Sequence, residues 1–239
     1  MFWTNKAVPI AGVVLILLAI GIIINVGASM QTGDNNPFTK DEVAKFLTDV
    51  NDNQTSVIVG GAAGIVVDGF LSVAVAALLY ILFRDRSRLL ATLAFAGLLI
   101  QSAISLVVDG NNILLTVIAS DFVKGGPTGV SAGDPAILEL GRYVGMITLA
   151  FGNVAATSLG LGLGALGILI ARAPAGAINP PRWLGWVAVF AGACAELAWF
   201  VVVIDPAFVF FIGNLLASLV LLFGLGVWLL MHRDLQPAP

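Results

Sequence analysis

The sequence predicts an all-α membrane protein, a bundle of six transmembrane helices that forms one domain over residues 1–239. The chain is 59% hydrophobic and only 10% charged, whereas soluble domains usually carry about 25% charged residues. Its mean hydropathy is +1.02, and six apolar segments are each long enough to cross about 30 Å of hydrocarbon. Helices are expected because lipid cannot satisfy open backbone groups. The expected spans are approximately 7–29, 56–83, 88–109, 142–171, 183–204 and 206–231.

The basic residues predict the orientation of these spans. When six helices are threaded in order, seven basic residues fall on one side: Lys6, Arg84, Arg86, Arg88, Arg172, Arg182 and Arg233. The positive-inside rule then places both termini in the cytoplasm. Arg182, Trp183 and Trp186 begin the fifth span and are expected to anchor it at the interface. The predicted setting is a bacterial plasma (inner) membrane, with the lipid bilayer as the main partner.

The two longer outer loops contain helical signals. Thr39-Lys40-Asp41-Glu42 is a capping-box pattern, and apolar residues follow it at helical spacing: Val43, Phe46, Leu47 and Val50. A short amphipathic helix is therefore expected in the first outer loop, packed on the bundle as a lid or, less favourably, bound to a partner. Asp134-Pro135 is typical of a helix start before the fourth span. Residues 110–120 either extend the third helix or lie along the membrane surface.

Two acids lie within the spans, with no basic residue at similar depth. Asp68 is near the middle of the second span and Glu196 near the middle of the fifth. A carboxylate in hydrocarbon is costly unless it is paired, hydrated or protonated. Three amides, Gln101, Asn153 and Asn214, lie at comparable depth, so the five side chains could form an intramembrane polar cluster. The cluster is either a proton or cation site or a structural acid bonded to an amide.

Other intramembrane features favour simpler interpretations. Gly160, Gly164, Gly185 and Gly192 are expected to let helices pack closely. Asp109 shares a helix face with Gln101 and is expected near the outer end of its span, close to water.

Missing residue types exclude several kinds of chemistry. The lysines all lie outside the spans, which disfavours retinal, and the only histidine, His232, follows the last span, which disfavours His-ligated haem and His-ligated chlorophyll. No metal site is expected, and the single cysteine, Cys194, allows no intrachain disulfide. The net charge of −3 argues against nucleic acid as a partner. No catalytic motif stands in a suitable context, so catalytic residues are not predicted and a non-enzymatic role is favoured.

The stretch Asn179-Pro180-Pro181-Arg182-Trp183-Leu184-Gly185-Trp186 is the least generic part of the chain. Together with the turn from Leu79 to Arg84 and the following Arg88-Leu89-Leu90-Ala91, it resembles domain-of-unknown-function family 4386, a family of bacterial six-helix membrane proteins. The resemblance extends over nearly the whole chain and implies the six-span topology. It implies no activity. The chain departs from the family pattern at Gln101-Ser102, where a basic residue followed by an acid is expected.

Three functions remain open from the sequence. The favoured one is a non-catalytic membrane subunit or scaffold that packs against other membrane-protein subunits or forms a homo-oligomer. The second is a small transporter, or a proton- or cation-conducting protein, that uses Asp68 and Glu196. The third is a membrane enzyme or lipid-binding protein of an unrecognised kind.

Overall fold

The computed structural model describes residues 6–29, 40–126, 131–172, 178–200 and 207–235, and every regular element in these ranges is helical. The helices are α1 (Ala7–Ser29), α2 (Lys40–Asp52), α3 (Gln54–Gly64), α4 (Ser72–Phe83), α5 (Arg88–Lys124), α6 (Pro135–Arg172), α7 (Arg182–Phe200) and α8 (Ala207–Met231). A π-helical segment, Ile65–Leu71, joins α3 to α4. The all-α fold predicted from composition is therefore confirmed.

Five stretches of the described residues are long and apolar enough to cross a membrane. They are Ala7–Gly27, Gln54–Phe83, Arg88–Lys124, Pro135–Arg172 and Val209–Met231. The chain is thus a multi-pass membrane protein by length and composition. The fifth predicted span, 183–204, corresponds to α7, and its last residues, 201–204, lie outside the described ranges.

Two helices are much longer than the spans predicted for them. α5 has 37 residues and α6 has 38, where the sequence predicted spans of 88–109 and 142–171. Residues 110–124 continue α5 without a break, which settles the alternative left open for residues 110–120. At 1.5 Å per residue, α5 is about 55 Å long, against about 30 Å of hydrocarbon. Each predicted span lies inside its helix, and α6 begins at the Asp134-Pro135 start that the sequence predicts.

Contacts divide the chain into two compact units. Unit one contains the described residues of Met1–Ile20, Asp68–Ala103 and Asn153–Pro239, and unit two contains those of Gly21–Val67 and Ile104–Gly152.

The predicted amphipathic helix is present in unit two as α2, and its apolar side packs inward. Val43 and Leu47 are completely buried and Val50 nearly so. They share an apolar cluster with residues of α3 and α5, namely Val57, Leu115, Ile118 and Ala119. The start of α6 has the predicted cap, since the Asp134 carboxylate accepts a 2.8 Å hydrogen bond from the Ala136 N–H. In unit two, α2 is therefore a lid on the protein's own helices.

Unit one is held together by close helix crossings at glycines. A Cβ on Gly97 of α5 would lie 2.7 Å from both Cα and N of Gly162 on α6. In the same way, a Cβ on Gly12 of α1 would lie 2.9 Å from the carbonyl oxygen of Gly226 on α8. Real Cβ atoms do not approach neighbours this closely, so these helices meet backbone to backbone, as small residues allow in membranes.

Candidate functional site

Asp68 of unit one lies within the π-helical segment Ile65–Leu71. π-Helical turns are rare and are found frequently at functional sites, because the wider turn interrupts the regular hydrogen-bond ladder. Apart from Asp68 and Gly69, the segment consists of large apolar residues, and it contains no proline. The second span therefore has, at one position, both an irregular helix and an acid whose burial in hydrocarbon costs free energy.

Gln101 of α5 is the partner of this acid. Its Nε2 donates a 3.0 Å hydrogen bond to Oδ1 of Asp68. Both side chains are partly buried in unit one. The next residue, Ser102, is completely buried, but its hydroxyl is directed back to the Leu98 carbonyl of its own helix. The cross-helix contact with Asp68 therefore comes from the Gln101 amide.

Glu196 lies elsewhere in unit one, in the seam between α6 and α7. Its carboxyl group packs on Gly160, where an added Cβ would lie 2.7 Å from Oε1. One turn earlier, a Cβ on Gly192 would lie 2.6 Å from the Gly160 carbonyl oxygen and 3.0 Å from the Gly164 nitrogen. Oε1 of Glu196 is buried and has no hydrogen-bond partner among the described residues.

The same seam contains the other glycines predicted to pack. A Cβ on Gly185 would lie 2.6 Å from the carbonyl oxygen of Gly167 on α6. The Cα of Gly164, in contrast, faces open space, since nothing lies within 4 Å of a Cβ built there. The structure thus places Gly160, Gly185 and Gly192 in direct α6–α7 contact, while Gly164 contributes through its backbone.

Asn153 and Asn214 are the two remaining amides of the predicted cluster. Oδ1 of Asn153, near the middle of α6, is buried without a hydrogen-bond partner among the described residues. Oδ1 of Asn214 accepts a 3.2 Å hydrogen bond from Ser218 of its own helix. Of the five predicted polar residues, the structure joins Asp68 to Gln101 by a hydrogen bond.

Asp109 of α5 differs from its expected position near water. Only 6% of its surface is exposed, and its carboxylate packs directly on Gly64 of α3, within unit two. A side chain larger than hydrogen at residue 64 would occupy the same space. The sequence offered one indication of this contact, the small residue Gly64 on the second span. The prediction that Asp109 lies close to water gave no reason to look for a partner helix.

Three arginines of unit one lie at the end of α6 or the start of α7, or contact them. Arg86 is buried in the turn after α4, and its Nη2 donates a 3.3 Å hydrogen bond to the carbonyl of Ile170, in the last turn of α6. Burial lowers the pKa of the Arg86 guanidinium, Asp85 opposes the shift and the like charge of Arg182 adds to it. The Arg172 guanidinium lies over the Trp186 ring, 5.1 Å from its centroid. Arg182, Trp183 and Trp186 are exposed.

The described residues contain no group of three or more His, Cys, Asp or Glu side chains that could hold a metal ion.

Comparison with known families identifies the chain. Residues 10–232 match the family described as Domain of unknown function (DUF4386). The chain belongs to the DUF4386 family. The match covers every described helix of this DUF4386 protein at least in part and confirms the resemblance seen in its sequence. The search of curated proteins and the search of solved structures each returned no match.

Proposed function

We propose that this DUF4386 protein is a small transporter, or a proton- or cation-conducting protein, whose central binding group is Asp68. The observation that carries the proposal is the position of Asp68 within a π-helical segment, hydrogen-bonded at 3.0 Å to Gln101 of a different helix. An ionisable residue inside a membrane is by default a functional candidate. A hydrogen bond from one amide offsets only part of the cost of burying a carboxylate, so the acid needs a proton or a cation as well.

The topology proposed for this function has six spans with both termini in the cytoplasm. The five apolar stretches support it, with α7 as the sixth span. The excess of Arg and Lys on one side of the threaded chain favours cytoplasmic termini. The proposed location is a bacterial plasma membrane. Reporter fusions after His232 and within residues 124–131 test the topology, because their activity should show opposite sides of the membrane.

The experiment that tests the function is a flux assay in proteoliposomes. Protons, Na⁺ and K⁺ are offered one at a time against an imposed gradient, with ion-sensitive dyes inside. Asp68→Asn should abolish the flux. Gln101→Leu should reduce it at least tenfold, because a hydrogen bond to a charged group is worth about 1.5–3 kcal/mol and 1.4 kcal/mol is tenfold. The matched control is Asp52→Asn, which makes the same change at an exposed acid of α2.

A second candidate is the membrane subunit or scaffold that the sequence favours. It is supported by a stripe of exposed large side chains along one face of α7, formed by Trp183, Trp186, Phe190 and Leu197. Such a stripe contacts lipid or another subunit equally well. Extraction in a mild detergent followed by mass spectrometry tests this candidate. Reproducible copurification with a defined complex, together with wild-type flux in Asp68→Asn, would favour the subunit over the transporter.

A further inference from the structure

The two intramembrane acids have opposite hydrogen-bond environments. Asp68 accepts an N–H from Gln101, and such a donor stabilises a carboxylate more than a neutral acid. Glu196 has a buried Oε1 without any donor among the described residues. Two carboxyl groups with environments this different are suited to different protonation states, and this is how acid and base roles are separated in proteins.

The described helices that pack on α7 carry no charge along the part that faces it. Glu196 packs on α6 at Gly160, and α6 carries no charged residue between Arg142 and Arg172. α8 also packs on α7, since a Cβ on Gly213 would lie 3.1 Å from Sγ of Cys194. Between Ala207 and Met231, α8 contains no charged residue. The thiol of Cys194, which faces α8, is the other titratable group on this part of α7.

We infer that Glu196 is a proton-binding site, occupied as the neutral carboxylic acid when α6 and α7 pack as they do in this structure. An ionised carboxylate whose Oε1 is buried without a donor would be destabilised in this setting, and such a group neutralises instead. The part that this proton plays in transport rests on the proposed function, and the protonation itself does not.

Release of the proton would require a change in the seam. A carboxylate needs water or a cation beside Oε1, but the Gly160 backbone occupies that side and Gly192 closes the crossing one turn away. Loss of the proton therefore favours a local separation of α6 from α7, and uptake of a proton from water restores the close packing. In this scheme Asp68 binds the cation and Glu196 binds the proton.

Infrared difference spectroscopy on the purified protein in lipid nanodiscs tests this inference. The wild-type spectrum minus that of Glu196→Gln, both at neutral pH, should contain the C=O stretch of a protonated carboxylic acid. The same difference taken with Asp68→Asn should contain carboxylate bands instead. A Glu196→Gln difference with only carboxylate bands overturns the inference.

A second measurement serves if Glu196→Gln does not fold. Dicyclohexylcarbodiimide reacts with protonated carboxyl groups in apolar surroundings, and peptide mass spectrometry locates the adduct on the wild-type chain. The adduct is expected on Glu196, and an adduct on Asp68 with Glu196 unmodified would overturn the assignment. The two proposals fail separately: flux without a protonated Glu196 removes only this inference, and a protonated Glu196 without any flux removes only the proposed function.

Discussion

The Gln101 amide lies 3.0 Å from Oδ1 of Asp68, which links α5 to the π-helical segment of the second span. Both side chains belong to unit one, and each is partly buried. The contact therefore contributes to helix packing as well as to any site.

A double-mutant cycle should detect this contact. Asp68→Ala and Gln101→Ala should each destabilise the protein, and the double variant should lose less than the sum of the two. Coupling between residues in contact is typically about 0.5–3 kcal/mol. Thermal unfolding in detergent measures the effect for all four proteins. As a control, the cycle is repeated with Asp68→Ala and Lys45→Ala, an exposed residue of unit two, and should give additive changes. Additivity at residues 68 and 101 would contradict the pairing.

Gly97→Ala should destabilise unit one. The new Cβ would lie 2.7 Å from backbone atoms of Gly162, which cannot move aside as a flexible side chain can. Overpacking of this kind typically costs about 1–3 kcal/mol. Gly164→Ala is the matched control, because nothing lies within 4 Å of a Cβ there, and it should be neutral or stabilising by up to about 1 kcal/mol. Equal unfolding temperatures for the two variants would disprove the close crossing.

Leu47→Ala should loosen the α2 lid. Leu47 is completely buried in unit two, and truncation of such a side chain costs about 2–5 kcal/mol. Hydrogen exchange measured by mass spectrometry should show faster exchange along α2, whereas Lys45→Ala on the exposed side of the same helix should leave the exchange unchanged. The prediction fails if both variants exchange at the wild-type rate.

Arg86→Met should weaken the end of α6. The substitution removes the hydrogen bond to the Ile170 carbonyl and the favourable placement of a positive charge at a helix C-terminus. Leaving a buried acceptor without its donor costs about 1–3 kcal/mol. The measured quantity is the unfolding temperature. Arg84→Met changes an exposed arginine of the same turn, and a loss as large as that of Arg86→Met would argue against the capping role.

The sequence grouped Asp68 and Gln101 in one polar cluster, but it did not predict that these two side chains form a hydrogen bond with each other. Asp68 and Gln101 were both expected in the polar cluster, from depth alone. Their pairing could not be read from the sequence, because a π-helical segment shifts the register that helical spacing assumes. For the same reason, the face of the second span beyond residue 65 was not predictable from its apolar pattern.

The glycine crossings show a second limit. Gly160, Gly185 and Gly192 were predicted to pack because glycines at regular spacing mark helix contacts. Gly97 and Gly12 are isolated in their helices, and their partners, Gly162 and Gly226, come from distant parts of the chain. A lone glycine carries no sign of what it meets, so these crossings required the structure.

Local residue types did not predict where α5 ends. Gly110 and the two asparagines after it are typical of a helix end, yet α5 continues to Lys124. Leu115, Ile118 and Ala119 lie in the apolar cluster that α2 covers. Tertiary packing of an apolar face stabilises a helix more than the propensity of a few residues destabilises it.

The length of α5 also has a practical consequence. A helix of 37 residues extends about 25 Å beyond the hydrocarbon if it crosses at a small angle, and the cluster around Leu47 gives the unit that contains this extension a folded core of its own. Such a feature is a rigid epitope on a chain of only 24.8 kDa. Antibody fragments raised against it would add mass and shape for imaging.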